Sequence, residues 1–79
     1  MSYNLDENSD TKIYVLNSVG QVVRRLSFSS GTNGGKIGAN TTTWDGLSNF
    51  GAVVPNGVYL LRIISGGGLA GKGKIVVLN

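Results

Sequence analysis

Neither cysteine nor histidine occurs among the 79 residues. Without thiols there is no disulfide to supplement the core and no thiolate metal site. Without imidazole the chain lacks the commonest metal ligand, the neutral-pH general base and every Ser-His or Cys-His nucleophile pair. Charge is scarce at 14%, and only four residues are acidic, so carboxylate pairs for acid–base work have little to draw on. These absences predict a non-catalytic chain with no cofactor and no metal. No apolar run approaches the roughly 18 residues of a membrane span, and the polar start from Met1 to Asp10 does not read as a signal peptide. At 8.2 kDa there is room for one small core, which buries only about 60% of the unfolded surface.

What is present is glycine: 13 residues against a single proline, with a hydrophobic fraction of 41%. That mixture fits short strands divided by turns. Thr11 to Asn17 alternates, with Ile13 and Val15 on one face and Lys12 and Tyr14 on the other, which reads as a half-buried strand. The turn Asn17-Ser18-Val19-Gly20 reverses the chain into a second strand over Gln21 to Phe28. Ser29 to Asn40, with Gly31, Gly34, Gly35 and Gly38, reads as a long exposed loop able to bury little except Ile37. β character resumes at Thr41 to Trp44, Asp45-Gly46 breaks it, and Leu47 to Gly51 forms a compact turn before Ala52 to Val54. After the Pro55-Asn56-Gly57 turn, Val58 to Ile64 is the strongest strand, with Tyr59, Leu61 and Ile63 facing one way and Arg62 the other. Gly66 to Gly71 is expected as a flexible hairpin loop and Lys74 to Leu78 as the closing strand, while Ser2 to Leu5 is a candidate first strand. Six or seven short strands of this kind predict an all-β antiparallel sandwich.

Individual residues carry structural expectations. Trp44 is the largest apolar side chain and is expected to plug the core, with sugar stacking as the competing role. Asp45 is expected to accept backbone N–H bonds in its turn, and Gly20, Gly46, Gly51 and Gly57 to occupy positive-φ turn positions. Tyr59 reads as a core tyrosine whose hydroxyl bonds a loop carbonyl. Asp6, Glu7 and Asp10 form the one acidic cluster, but a calcium loop needs more ordered ligands, so a solvated loop is expected. Asn40-Thr41-Thr42 matches a glycosylation sequon. The seven cations, Lys12, Arg24, Arg25, Lys36, Lys72, Lys74 and Arg62, are dispersed along the chain, which argues against nucleic acid as a partner. A carbohydrate-binding role needs coplanar exposed aromatics, for which Tyr3, Tyr14, Trp44 and Phe50 are the candidates.

The stretch Ile13 to Leu26, followed by Trp44-Asp45-Gly46, Gly51 and Pro55-Asn56-Gly57-Val58-Tyr59, resembles the FlgD-type immunoglobulin-like domain, from about Ile13 to Leu78. The resemblance implies an Ig-like or fibronectin-III-like sandwich forming one domain over residues 1–79, excised from or C-terminal in a larger protein. It marks Gly20, Trp44, Asp45, Gly46, Gly51, Gly57 and Tyr59 as structural motif residues. It further implies a secreted or cell-surface bacterial protein in which the domain is a spacer, an attachment module or a secretion-sorting module. Some relatives in Bacteroidetes-type bacteria serve the type IX secretion route and end in a lysine-rich, then apolar strand, as Lys72, Lys74, Ile75, Val76, Val77 and Leu78 do here. The implied partners are other domains of the parent chain, the secretion machinery, or copies of the chain paired through strand edges. A hook-capping structural subunit is the alternative role.

Overall fold

The computed structural model describes residues 1–78. Six strands form: β1 (Ser2–Leu5), β2 (Thr11–Leu16), β3 (Val22–Phe28), β4 (Gly38–Thr41), β5 (Gly57–Ser65) and β6 (Gly68–Val77). One sheet has the order β3-β2-β5-β6 and the other pairs β1 with β4, every pairing being antiparallel. Among the described residues there is no helix long and apolar enough to cross a membrane.

Period-2 alternation sets the layers. β2 buries Thr11, Ile13 and Val15, and β5 buries Tyr59, Leu61 and Ile63, all toward β1. Tyr3 and Leu5 of β1, with Val54 from the segment before β5, complete the core. The strongest strand of the sequence, β5, lies inside the larger sheet with a neighbour on each side, as its continuous apolar face requires.

The β2–β3 reversal follows from Asn17. Its side-chain oxygen accepts the N–H groups of Val19 (3.2 Å) and Gln21 (2.9 Å), and Gly20 closes the turn at φ 86°. Beyond the turn a bulge between Val15 and Leu16 shifts the register, so that Arg24 pairs with Val15 and Arg25 with Tyr14.

Three segments differ from the sequence-based expectation. Ser29 to Asn40 is not a loose loop. Gly34, Gly35 and Asn40 are buried, β4 begins at Gly38, and Ile37, the one residue expected to be covered, is 61% exposed. The chain is drawn in because a Cβ on Gly35 would lie 2.5 Å from the Ser29 carbonyl oxygen and 2.6 Å from that of Ser9, so the two backbones meet where only glycine fits. Strand character also ends at Thr41 rather than running to Trp44, although Thr42 still donates its N–H to the Met1 carbonyl at 2.8 Å. Finally, Gly66 to Gly71 is no flexible loop: β6 starts at Gly68, and Gly66 and Gly67 form a two-residue turn at φ 60° and 81°, the geometry of a type I′ hairpin.

Candidate functional site

Apart from Gly20 in the β2–β3 turn, the motif residues lie in the segment from Thr42 to Tyr59. Asp45 Oδ1 accepts the N–H of Leu47 at 3.0 Å, the Asx-type bond its place before glycine requires. Gly46 then turns at φ 76°, and its carbonyl accepts the N–H of Val54 at 3.1 Å. Leu47 bridges to Val53, Ser48 donates its N–H to Ala52, and Gly51 turns at φ 79°. The result is a small closed turn within the segment. It is tied to β3 by the Asn49 N–H on the Val23 carbonyl (2.9 Å), the Arg25 N–H on Asn49 Oδ1 (3.0 Å) and Arg24 Nη1 on the Ser48 carbonyl (3.0 Å). The edge of the larger sheet at β3 is thereby covered for part of its length.

Trp44 and Tyr59 join this segment to the core. Their rings meet edge-to-face at 5.5 Å between centroids. The indole Nε1 donates to the Leu47 carbonyl at 2.9 Å, and the Tyr59 hydroxyl donates to the Pro55 carbonyl at 2.7 Å. Trp44 does not plug the centre: it is half-buried at the margin, and the fully buried large side chains are Ile13, Val15, Asn40 and Thr11. A thin sandwich buries aliphatic side chains completely, whereas an indole must keep its N–H within reach of an acceptor, and that acceptor lies at the rim. Gly57 opens β5 at φ 156°.

A second polar centre went unread in the sequence. Asn40, 1% exposed, accepts the N–H groups of Gly34 (2.9 Å) and Lys36 (3.3 Å) through Oδ1, and donates through Nδ2 to the carbonyls of Lys36 (2.9 Å) and Gly38 (3.1 Å). The Gly34 carbonyl in turn accepts the Tyr3 hydroxyl at 2.7 Å. Burial pushes the Tyr3 hydroxyl above its ordinary 10.0, with Thr42 acting in the opposite sense. Asn40, read as the first residue of a sequon, is therefore a bracket that closes residues 34–40 on themselves, the Tyr3 hydroxyl then tying them to β1, and its amide is inaccessible to a glycosyl donor. No local pattern distinguishes a bracketing asparagine from a sequon.

The remaining candidates are scattered. Asp10 Oδ1 caps the Ser30 N–H at 2.8 Å, while Asp6 and Glu7 are exposed, and no group of three or more acidic residues that could hold a metal ion occurs among the described residues. Of the aromatics considered for sugar stacking, Tyr3 is buried in the core, Tyr14 is half-buried on β2 and Phe50 is 97% exposed at a loop tip. Lys72, Lys74, Ile75, Val76 and Val77 all lie on β6, where Lys72, Lys74 and Val76 are exposed and Ile75 and Val77 turn inward; Leu78 follows the strand.

The model of the FlgD Ig-like domain family matches residues 1–68. The chain belongs to that family. The match takes in β1 and the segment before Ile13, which the motif resemblance had left out, and it ends at Gly68, the first residue of β6. The family accounts for the six-stranded, two-sheet Ig-like sandwich and is structural rather than catalytic. Comparison with curated proteins yields no match.

Proposed function

We propose that this FlgD-type Ig-like chain is a non-catalytic module of a secreted or cell-surface bacterial protein, and that β6 is its attachment or sorting strand. The observation that supports this reading is the exposed edge of β6. The strand runs for ten residues, is last in the order β3-β2-β5-β6, and pairs only with β5 among the described residues. Its outward lysines, Lys72 and Lys74, disfavour indiscriminate edge-to-edge pairing and leave the backbone edge for a receptor that tolerates them. A structural subunit of a hook-cap type is the second reading, favoured by the family match.

A reporter carrying the chain at its C-terminus in a type IX-competent bacterium tests the proposal. Removal of residues 71–79 takes away Ile75 and Val77, which pack on the core, so a melt of each purified fusion accompanies the export assay. A second variant, Lys72→Gln with Lys74→Gln, leaves the inward face intact. Sorting through β6 predicts reporter outside the cell with the intact chain, retention of the truncated one and reduced export of the lysine variant. Periplasmic retention of the folded intact chain, or equal export of all three, overturns sorting in favour of the subunit reading.

A further inference from the structure

Dispersed in sequence, the cations are gathered by the fold. Residues paired across antiparallel strands share a face, and Arg25, Tyr14, Arg62 and Lys72 are successive partners across β3, β2, β5 and β6. They form one row over the outer face of the larger sheet. The adjoining rows add Lys12, beside Ile64 and Leu69, and Lys74, beside Leu60 and Leu16. Five of the seven Lys and Arg thus stand on one face, and no Asp or Glu occurs in any of its four strands. Arg62 and Lys72 are direct cross-strand partners of like charge, an arrangement that disfavours folding. The same face carries Val22, Val58, Leu69 and Val76, between 48% and 63% exposed, at its two ends.

We propose that this face docks on an anionic lipid surface. Charge complementarity names an anion, and the spread of the cations over all four strands names an extended one. A nucleic acid or an acidic polysaccharide would meet the cations but leave the flanking valines and Leu69 in water, and a single aromatic, Tyr14, is a poor stacking platform for bases. A partner protein fits less well on two counts. Four strands about 4.8 Å apart and on average eight residues long offer roughly 500 Å², less than the roughly 800 Å² that one side of a stable protein interface buries. Three of the five cations are lysines, a type depleted from protein interfaces but suited to lipid headgroups, where the long stem lies along the apolar boundary and the ammonium reaches phosphate. The docked module lies flat, its row of cations on the headgroups and its valines at the acyl boundary.

Phosphatidylcholine vesicles with and without phosphatidylglycerol provide the test, read by co-sedimentation of the whole chain. Lys12→Gln with Arg25→Gln removes two charges that lie on β2 and β3 and leaves β6 unaltered, which keeps this outcome separate from that of the sorting proposal. Each charge near an anionic bilayer changes partitioning about fivefold, so the pair is expected to lose about 25-fold. Lys36→Gln, an equal charge change per residue in the 29–40 segment, is expected to shift partitioning by less than about twofold, since it lies off the face. Val22→Ser with Val58→Ser weakens binding without altering charge. A melt of each variant confirms folding. Equal losses for the face and Lys36 variants, indifference to phosphatidylglycerol or to the valines, or tighter binding of an oligothymidylate than of vesicles overturns the proposal. Absence of vesicle binding by the folded chain does so as well, and returns the face to a protein partner.

Discussion

Asn40 holds more structure than any other polar side chain described, because its four hydrogen bonds fasten a glycine-rich segment that has almost no side chains of its own to bury. Asn40→Ala removes the partner of the buried Gly34 N–H and those of three part-buried groups, the Lys36 N–H and the Lys36 and Gly38 carbonyls, and a buried unsatisfied group costs about 1 kcal/mol or more. A loss of about 2–4 kcal/mol in a urea melt is the expected result, with weakened hydrogen-exchange protection at Gly34. Tyr3 gives a pH-dependent expectation. Its folded-state pKa lies above the unfolded 10.0, so the folded chain holds the proton more tightly and the contribution is fully present below pH 10.0. It is lost as pH climbs through the raised value. Tyr3→Phe is expected to cost about 1 kcal/mol at neutral pH through the missing bond to Gly34, and to show a shallower fall in stability above pH 10.0 than the parent. Parallel curves for the two proteins would contradict the burial of that hydroxyl.

Turns and edges decide the elements. The β5–β6 hairpin closes on Gly66 and Gly67 at φ 60° and 81°, a conformation that costs a residue with a Cβ roughly 1–2 kcal/mol. Asparagine tolerates that region and a β-branched residue does not, so Gly67→Asn is expected near neutral and Gly67→Val to lose at least about 1 kcal/mol. Read from sequence, three consecutive glycines look like slack, and Gly67 looks far more tolerant than Gly57. In the structure both have positive φ, so thermal midpoints of Gly57→Val and Gly67→Val are expected to fall together. β6 begins at Gly68, six residues before the expected strand start at Lys74, because Gly71 and Gly73 lack side chains to show alternation. Those two glycines face Ile63 and Leu61, whose methyl groups would lie 3.3 and 3.8 Å from an added Cβ. The large side chains of one strand thus lean over the bare backbone of its neighbour.

At the scale of the molecule the two faces of the larger sheet have opposite characters: one carries the core and the other most of the positive charge. Like charges directly opposed across strands destabilise by a few tenths of a kcal/mol or more, so Lys72→Glu, placed beside Arg62, is expected to raise stability by about 0.5 kcal/mol. The gain should shrink as salt screens the pair. Improved stability together with lost vesicle binding would identify the row as a functional feature kept at a cost in folding, whereas an unchanged melting midpoint would show that Arg62, whose Nη1 already bonds the Leu61 carbonyl at 3.0 Å, does not feel Lys72.

The sequence by itself determined the class, the alternating faces of β2 and β5, the Asn17 turn and the Asp45-Gly46 break, because each rests on periods of two residues or on bonds spanning a few residues. The bond of Tyr59 is local in the same way, its hydroxyl reaching only four positions back to Pro55. Tertiary structure alone decided the rest. The Tyr3 hydroxyl lies 31 positions from the Gly34 carbonyl that accepts it, and that contact fastens the 29–40 segment to β1, whereas the bonds of Asn40 and Trp44 themselves span six positions or fewer. The gathering of Lys12, Arg25, Arg62, Lys72 and Lys74 depends on cross-strand register, which aligns residues up to 58 positions apart (72 − 14) onto one row. Register is a property of paired backbones, and composition carries no trace of it.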